Sequence, residues 1–189
     1  MYAIRDVHQI RMLASPLRLG IMDALETSDG RSAAELARIL GCAPDALYHH
    51  LRLLTRNGLL VSKQRANGIG RPYAVFALRG KPTRLRYRPS DRRNAAAVTT
   101  VVASMLRHAS RTFARAMNQH PVVNGLRRNL WAGRCIAWLT PLEIEELNKL
   151  LHRITRLMWT GAPGRRHARL YALTFVLSPF GARRRSTKV

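Results

Sequence analysis

Asp45, Ala46, Tyr48, His49 and Arg52 lie close together in the chain, and Lys63, Arg65, Asn67 and Arg71 follow in a short basic loop. These groups suit contact chemistry. Phenol and imidazole both donate and accept hydrogen bonds, and guanidinium and ammonium attract anions. Bond-making chemistry has no comparable footing. The sequence has no Gly-x-Ser-x-Gly elbow and no zinc signature, and its carboxylates are too few for a two-acid site. Asn67-Gly68-Ile69-Gly70 leads into a β-prone run, so it lacks the helix end that binds a nucleotide phosphate. Ser32 and the histidines form no recognisable triad, and the chain is not expected to be an enzyme.

Cys42 and Cys135 stand far apart, each without a neighbouring cysteine or acidic cluster. His49 and His50 are adjacent and therefore point to different sides of a helix, so they cannot chelate together. Neither a metal nor a cofactor is expected. Cys42 reads as a small apolar residue in a turn. His50 has two readings, a ring packed between helices and bonded to a backbone carbonyl, or a phosphate contact. Trp131, Trp138 and Trp159 are candidates for the wall of a ligand pocket or, the reading favoured, for a dimer surface.

The 189 residues include 33 Lys and Arg against 10 Asp and Glu, a formal net charge of +23. Such an excess makes a polyanion the default partner, and nucleic acid is the commonest, because neutralising phosphates releases condensed counterions. With 47% hydrophobic residues the chain carries enough apolar surface to fold. Two cysteines and no N-terminal apolar run with a cleavage site point to a reducing, cytoplasmic compartment. The longest apolar candidate, Leu170 to Phe180, is short and interrupted by Pro179, so no membrane anchor and no membrane partner are expected.

The elements that must hold the contact groups can be read from local signals. Val7 to Ala14 predicts a short helix, and Ser15-Pro16 starts a second with Leu17, Ile21, Ala24 and Leu25 on one face, ended by Ser28-Asp29-Gly30. Ser32-Ala33-Ala34-Glu35 is a capping box opening a brief helix with Leu36, Ile39 and Leu40 as its buried stripe. Gly41 ends it, and Pro44 opens the next helix, to about Thr55. There Leu47, Leu51 and Leu54 face inward and Asp45, Ala46, Tyr48, His49 and Arg52 outward. Leu59 to Lys63 and Tyr73 to Leu78 predict a hairpin whose tip, 64 to 72, is Gly-rich and basic.

After Leu78 the composition shifts. Lys81 to Arg93 holds six basic residues, one acid and two prolines, and reads as an extended connector. Residues 1–80 carry net +5 and residues 81–189 net +18. A long helix is predicted over Asn94 to Asn118, with Val98, Val101, Val102, Met105, Leu106, Phe113 and Met117 as its stripe. Thr140-Pro141-Leu142-Glu143 caps another, in which Ile144, Leu147, Leu150, Leu151, Ile154, Leu157 and Met158 fit heptad-like spacing, for intrachain packing or for pairing with a second subunit. Arg169 to Leu177 alternates as a strand would.

The order helix, capped helix, glycine turn, Pro-initiated helix and basic hairpin is the layout in which a recognition helix enters the DNA major groove and a wing touches the backbone. Leu13-Ala14-Ser15-Pro16-Leu17-Arg18-Leu19-Gly20-Ile21-Met22-Asp23-Ala24-Leu25, Ala33-Ala34-Glu35-Leu36-Ala37, Leu47-Tyr48-His49-His50-Leu51-Arg52-Leu53-Leu54 and Asn57-Gly58-Leu59-Leu60-Val61 resemble the ArsR-type winged helix-turn-helix regulators over about residues 7 to 78. The resemblance implies a homodimeric transcription regulator on double-stranded DNA. On its matching positions it assigns DNA contact to Asp45, Ala46, Tyr48, His49 and Arg52, and backbone contact to Lys63, Arg65, Asn67 and Arg71. Ala43 replaces the usual Ser or Thr cap, and no Arg or Gln stands among the early exposed residues, so backbone contact should outweigh base reading.

The expected fold is mainly α with a small β-hairpin: a winged helix-turn-helix domain over 1–80, a basic extended linker over 81–93, a helical dimerisation or effector region with a terminal strand over 94–180, and a basic tail over 181–189. Two further readings stand beside the regulator. In one, residues 81–189 make the protein an architectural or RNA-binding one, with the winged head as a protein docking module. In the other, the basic half takes an acidic or other small-molecule effector that shifts DNA affinity.

Overall fold

The structure, a computed structural model, describes residues 2–66, 72–161 and 168–180. Chain entry is a short strand, β1 (Tyr2–Ile4), followed by α1 (Val7–Met12) and α2 (Pro16–Glu26). Asp6 caps α1 by accepting the Gln9 N–H, whereas Ser15 precedes α2 without a side-chain cap. A two-residue strand, β2 (Arg31–Ser32), leads into α3 (Ala33–Leu40), and α4 (Pro44–Arg56) follows. The capping box forms: Glu35 Oε2 accepts the Ser32 N–H at 2.7 Å and Ser32 Oγ accepts the Glu35 N–H at 3.2 Å. The Ser32 N–H, and then the Ser32 hydroxyl, which donates to the same oxygen at 2.9 Å, hold the Glu35 carboxyl below the usual carboxylate range.

Gly41 stops α3 with a φ of 65°, the left-handed conformation that only glycine takes without steric cost. Gly20 serves packing: a Cβ there would lie 2.9 Å from Leu40 Cδ2, so α2 and α3 approach at a residue without a side chain. The hairpin is β3 (Leu60–Arg65) and β4 (Tyr73–Leu78), antiparallel in the register Leu60↔Leu78 to Arg65↔Tyr73. β2 adds to the other edge of β4, giving the order β2-β4-β3.

One core joins these elements. Ile10, Ile21, Leu25, Leu36, Leu47, Leu51, Leu54, Leu59 and Leu60 are all buried in it. On α3 the buried positions are Ala33, Leu36 and Ala37, with Leu40 packed at the margin. Ile39, expected in the stripe, lies outside it, because the 33, 36, 37, 40 set defines the face turned to α2 and α4.

The connector expected over 81–93 is not a free tether. β5 (Thr83–Leu85) pairs in parallel with β1, and α5 (Arg92–Met117) has begun before residue 93. Glu26 Oε1 accepts the Thr83 N–H at 2.8 Å, and Lys81 pairs with Asp29 at 3.2 Å. Asn94, 1% exposed, accepts the Arg88 N–H at 2.7 Å and donates to the Arg86 carbonyl at 3.0 Å, stitching the run to the helix. Both its polar ends are satisfied, as burial requires. Composition could not show this, since the partners of 83–85 and of Asn94 are supplied by chain distant from, or folded back on, the charged run.

The core also extends beyond residue 80: Ala97 and Val101 belong to it, and α5 packs along α1. The buried face of α5 is Asn94, Ala97, Val101 and Ser104. Of the larger residues expected as its stripe, only Val101 is buried; Leu106 and Met117 are exposed. Small residues let the two helices approach closely, which turns the bulky ones aside.

The last helix, α6 (Pro141–Trp159), carries the capping box of Thr140 and Glu143, yet none of its residues is buried. The strand expected over Arg169 to Leu177 does not form: residues 168–180 hold neither helix nor strand. Alternation alone offers no edge to pair with, and an unpaired strand leaves its ladder groups to water. The tail at 181–189 lies outside the described residues.

Leu51→Ala is expected to lower stability by about 2–5 kcal/mol, and Arg52→Ala, one position along on the exposed face, by under about 0.5 kcal/mol. Urea denaturation midpoints of the two variants check the inward and outward faces of α4.

Candidate nucleic-acid interface

Leu47, Leu51 and Leu54 are fully buried and set the rotation of α4. Asp45, Ala46, Tyr48, His49 and Arg52 are therefore all exposed on the opposite side, Tyr48 by 47%. Arg56 is exposed as well; four positions beyond Arg52, it lies on the same side one turn on, a continuation that helical spacing could have revealed. Ala43 gives α4 no side-chain cap, and Pro44 at the first helical position removes one orphan N–H. No side chain caps the rest of the first turn, where the Ala46 N–H donates to the Ala43 carbonyl at 3.2 Å.

His50 sits at the edge of the core. Its Nδ1 is buried without a hydrogen-bond partner, so the carbonyl bond expected of it is not made at that nitrogen. Its ring meets His49 edge-on at 5.5 Å. Burial, then the nearby charges of Arg18 and His49, push the His50 imidazole below its ordinary range. Arg18 Nε donates to the Met12 carbonyl, which anchors that charge on the α1–α2 turn. Gln9 Nε2 donates to the Asn57 carbonyl at 2.7 Å, tying α1 to the C-terminal end of α4.

Lys63 and Arg65 are exposed on β3, where every residue from Ser62 to Arg65 is exposed, while the root of the hairpin is buried at Leu60, Phe76 and Leu78. The outer half of β3 is thus exposed, whereas β4 stays half-buried alongside it, with Ala74 packed against the core. Asn67 and Arg71, the other two backbone-contact candidates, lie outside the described residues, as does the 67–71 tip.

The three tryptophans are not gathered into one site. Trp138 is 100% exposed and Trp131 largely so, with Arg128 over its ring at 4.1 Å. Trp159 is half-buried under Arg84 at 4.4 Å, which links the end of α6 to β5. None of them lines the cleft between Arg5 and Arg93 or the one between Asp29 and Lys81. Cys42 is half-buried and Cys135 exposed. Among the described residues no group of three or more His, Cys, Asp or Glu could hold a metal ion, and no helix is long and apolar enough to cross a membrane.

Residues 13–63 match the family model of a helix-turn-helix domain, a span that runs from before α2 into β3 and contains α3 and α4 whole. No curated protein matches the chain. Among solved structures it is similar to a transcriptional regulator homologue from Pyrococcus horikoshii, with 21% identity, 55% of this chain and 90% of that one covered, and a TM-score of 0.34. It is similar also to ZitR of Lactococcus lactis (18% identity, 76% and 83% covered, TM-score 0.31). A third likeness is to the multiple antibiotic-resistance repressor of Listeria monocytogenes (16%, 82% and 85%, TM-score 0.32). With TM-scores this low, whole-chain superposition carries no functional weight. The class defined is a mainly α protein with a small sheet: a helix-turn-helix domain bearing a hairpin, followed by a helical C-terminal region.

Lowering of the His50 pKa favours its neutral form in the folded state. The unfolded chain then binds more protons on acidification, so His50's contribution is intact above about pH 6.5, the ordinary imidazole value, and is lost as pH falls below it. Between pH 7.5 and 5, His50→Leu should lose less stability than the parent chain, read as the shift in urea midpoint; an equal shift would refute the assignment.

Proposed function

We propose that this chain is a DNA-binding transcription regulator of the ArsR type, with α4 entering the major groove and the β3–β4 hairpin lying on the backbone. The observation that carries the reading is the exposed α4 face of Asp45, Ala46, Tyr48, His49 and Arg52, held outward by a buried leucine spine beside the exposed basic half of β3. Tyr48 and His49 supply hydrogen bonds and apolar contact to base edges, and Asp45 accepts from a cytosine amino group. Lys63, Arg65, Asn67 and Arg71 act on phosphates, and the start of α4, without a side-chain cap, turns the positive end of its dipole to a phosphate as well. The protein acts in the cytoplasm and catalyses no reaction.

In this reading the working unit is a homodimer. The chain leaves Leu150, Ile154, Leu157 and Met158 of α6 exposed, and Leu106 and Met117 of α5 likewise. Apolar area of this extent is what an interface covers. A two-fold pair places two copies of α4 on half-sites about one helical turn apart. The head to residue 80 reads DNA, 81–93 joins it to the region over 94–180 that dimerises or receives an effector, and Trp131, Trp138 and Trp159 belong to the dimer surface.

Fluorescence anisotropy on the chain's own upstream DNA and on a scrambled duplex, at two salt concentrations, tests the DNA reading. Tyr48→Ala with His49→Ala should weaken upstream binding by about tenfold or more and spare scrambled binding. Lys63→Ala with Arg65→Ala should weaken both and lower the salt slope by about two. Equal binding to both duplexes, untouched by the α4 variant, would sink the regulator reading and favour the basic second half as a nonspecific nucleic-acid binder.

For the dimer, sedimentation equilibrium should give twice the 21.4 kDa chain mass. Leu150→Asp with Leu157→Asp should halve it without loss of helicity, because neither side chain is buried within its own chain.

A further inference from the structure

The approach to α1 and the run entering α5 enclose an open cleft of about 850 Å³. Arg5, His8 and Arg11 line one side, and Arg88 and Arg93 the other. The two carboxylates on its walls are already engaged with backbone: Asp6 accepts the Gln9 N–H at 2.9 Å, and Asp91 accepts those of Arg93 and Asn94 at 2.9 and 3.2 Å. Among the described residues, none of the four arginines makes an ion pair. Four arginines thus share one concavity with two aspartates, each tied through one oxygen to a helix start, which leaves the lining a net positive charge of two.

The cleft arginines and those farther along α5 are all exposed, but they are arranged differently. Arg107, Arg111 and Arg115 follow one another along exposed, convex α5. The cleft arginines come from two stretches of chain far apart in sequence, brought together because β1 pairs with β5 and α1 packs on α5. The location also separates the cleft from the exposed start of α4. It adjoins α1, whose Gln9 is bonded to Asn57 at the other end of that 13-residue helix, and a helix of that length spans roughly 20 Å.

We propose that this cleft binds a small phosphate-bearing molecule carrying at least two negative charges. Guanidinium forks match the oxygens of a phosphoryl group two at a time, and several arginines can share one such group. The volume falls within the roughly 300–1,000 Å³ of small-molecule sites and exceeds what a single phosphate fills. The site does not rest on the DNA-binding reading.

The test is calorimetric titration of the full chain with inorganic pyrophosphate. Saturable binding of one pyrophosphate per chain is expected. Arg5→Gln with Arg93→Gln should weaken it by about tenfold or more, the scale of losing charge-assisted hydrogen bonds. Arg107→Gln with Arg111→Gln removes the same charge from the convex face and should weaken it less than about twofold. No saturable binding, or equal loss in the two pairs, overturns the proposal. Circular dichroism verifies the fold of each variant, and Arg11→Gln alone, expected to weaken pyrophosphate binding in the same direction, is the second probe. A duplex arm separates the two sources of phosphate. The cleft pair should bind duplex DNA as well as the convex-face pair does; a larger loss would make the cleft a DNA-backbone site and overturn the small-molecule assignment. A chain that bound no duplex at all would defeat the regulator reading and leave the pyrophosphate result standing.

Discussion

Three leucines of α4, spaced four and three residues apart, are withdrawn from water into the core that also holds Ile21 and Leu25 of α2 and Leu36 of α3. Each such burial is worth roughly 1.5–3 kcal/mol relative to exposure. Turning α4 by one residue, about 100°, would expose those leucines and drive Tyr48 or Arg52 toward the core. The orientation of every group that a partner could touch is therefore set from behind, by packing. The groups themselves have little to do with it, and that leaves their chemistry free to serve contact.

The same logic explains why the second half looks so different. α5 spends its first turns against α1 through Asn94, Ala97, Val101 and Ser104, and beyond Ser104 no residue of it is buried. α6 has a capping box and a heptad-like run of leucines, the signals of a well-specified helix, but among the described residues none of its side chains is buried, and Arg84 over Trp159 touches only its end. A helix can be locally specified and still lack the surface against which its apolar face belongs, because capping acts within one turn and burial needs a second body. Exposed Leu170, Leu173, Phe175 and Leu177 repeat the pattern without regular structure.

Charge is distributed on a third principle. The excess of arginine is tolerable because most of it is spread over exposed surface, where water and salt screen it. Some is absorbed by aromatic rings, Arg84 on Trp159 and Arg128 on Trp131. At the α1–α5 cleft four arginines meet two aspartates that cap helices, and the positive charge left over falls to solvent and salt to screen.

Sequence alone determined the helices of the head and the inward face of α4: the Ser32–Glu35 box, Gly41, Pro44 and the leucine spacing act over at most four or five residues, and what they specify survives into any fold that contains them. It also determined the hairpin, whose two strands are neighbours in the chain. Tertiary structure decided the rest. The β1–β5 pair, the addition of β2 to β4, the burial of Asn94 and the meeting of Arg5 with Arg93's stretch of chain all depend on distant segments arriving at one place. So did the choice of a small-residue face on α5 over its bulkier one, and the failure of 169–177 to become a strand. A strand exists only where an edge is offered, and a helix buries whichever face its neighbour can approach.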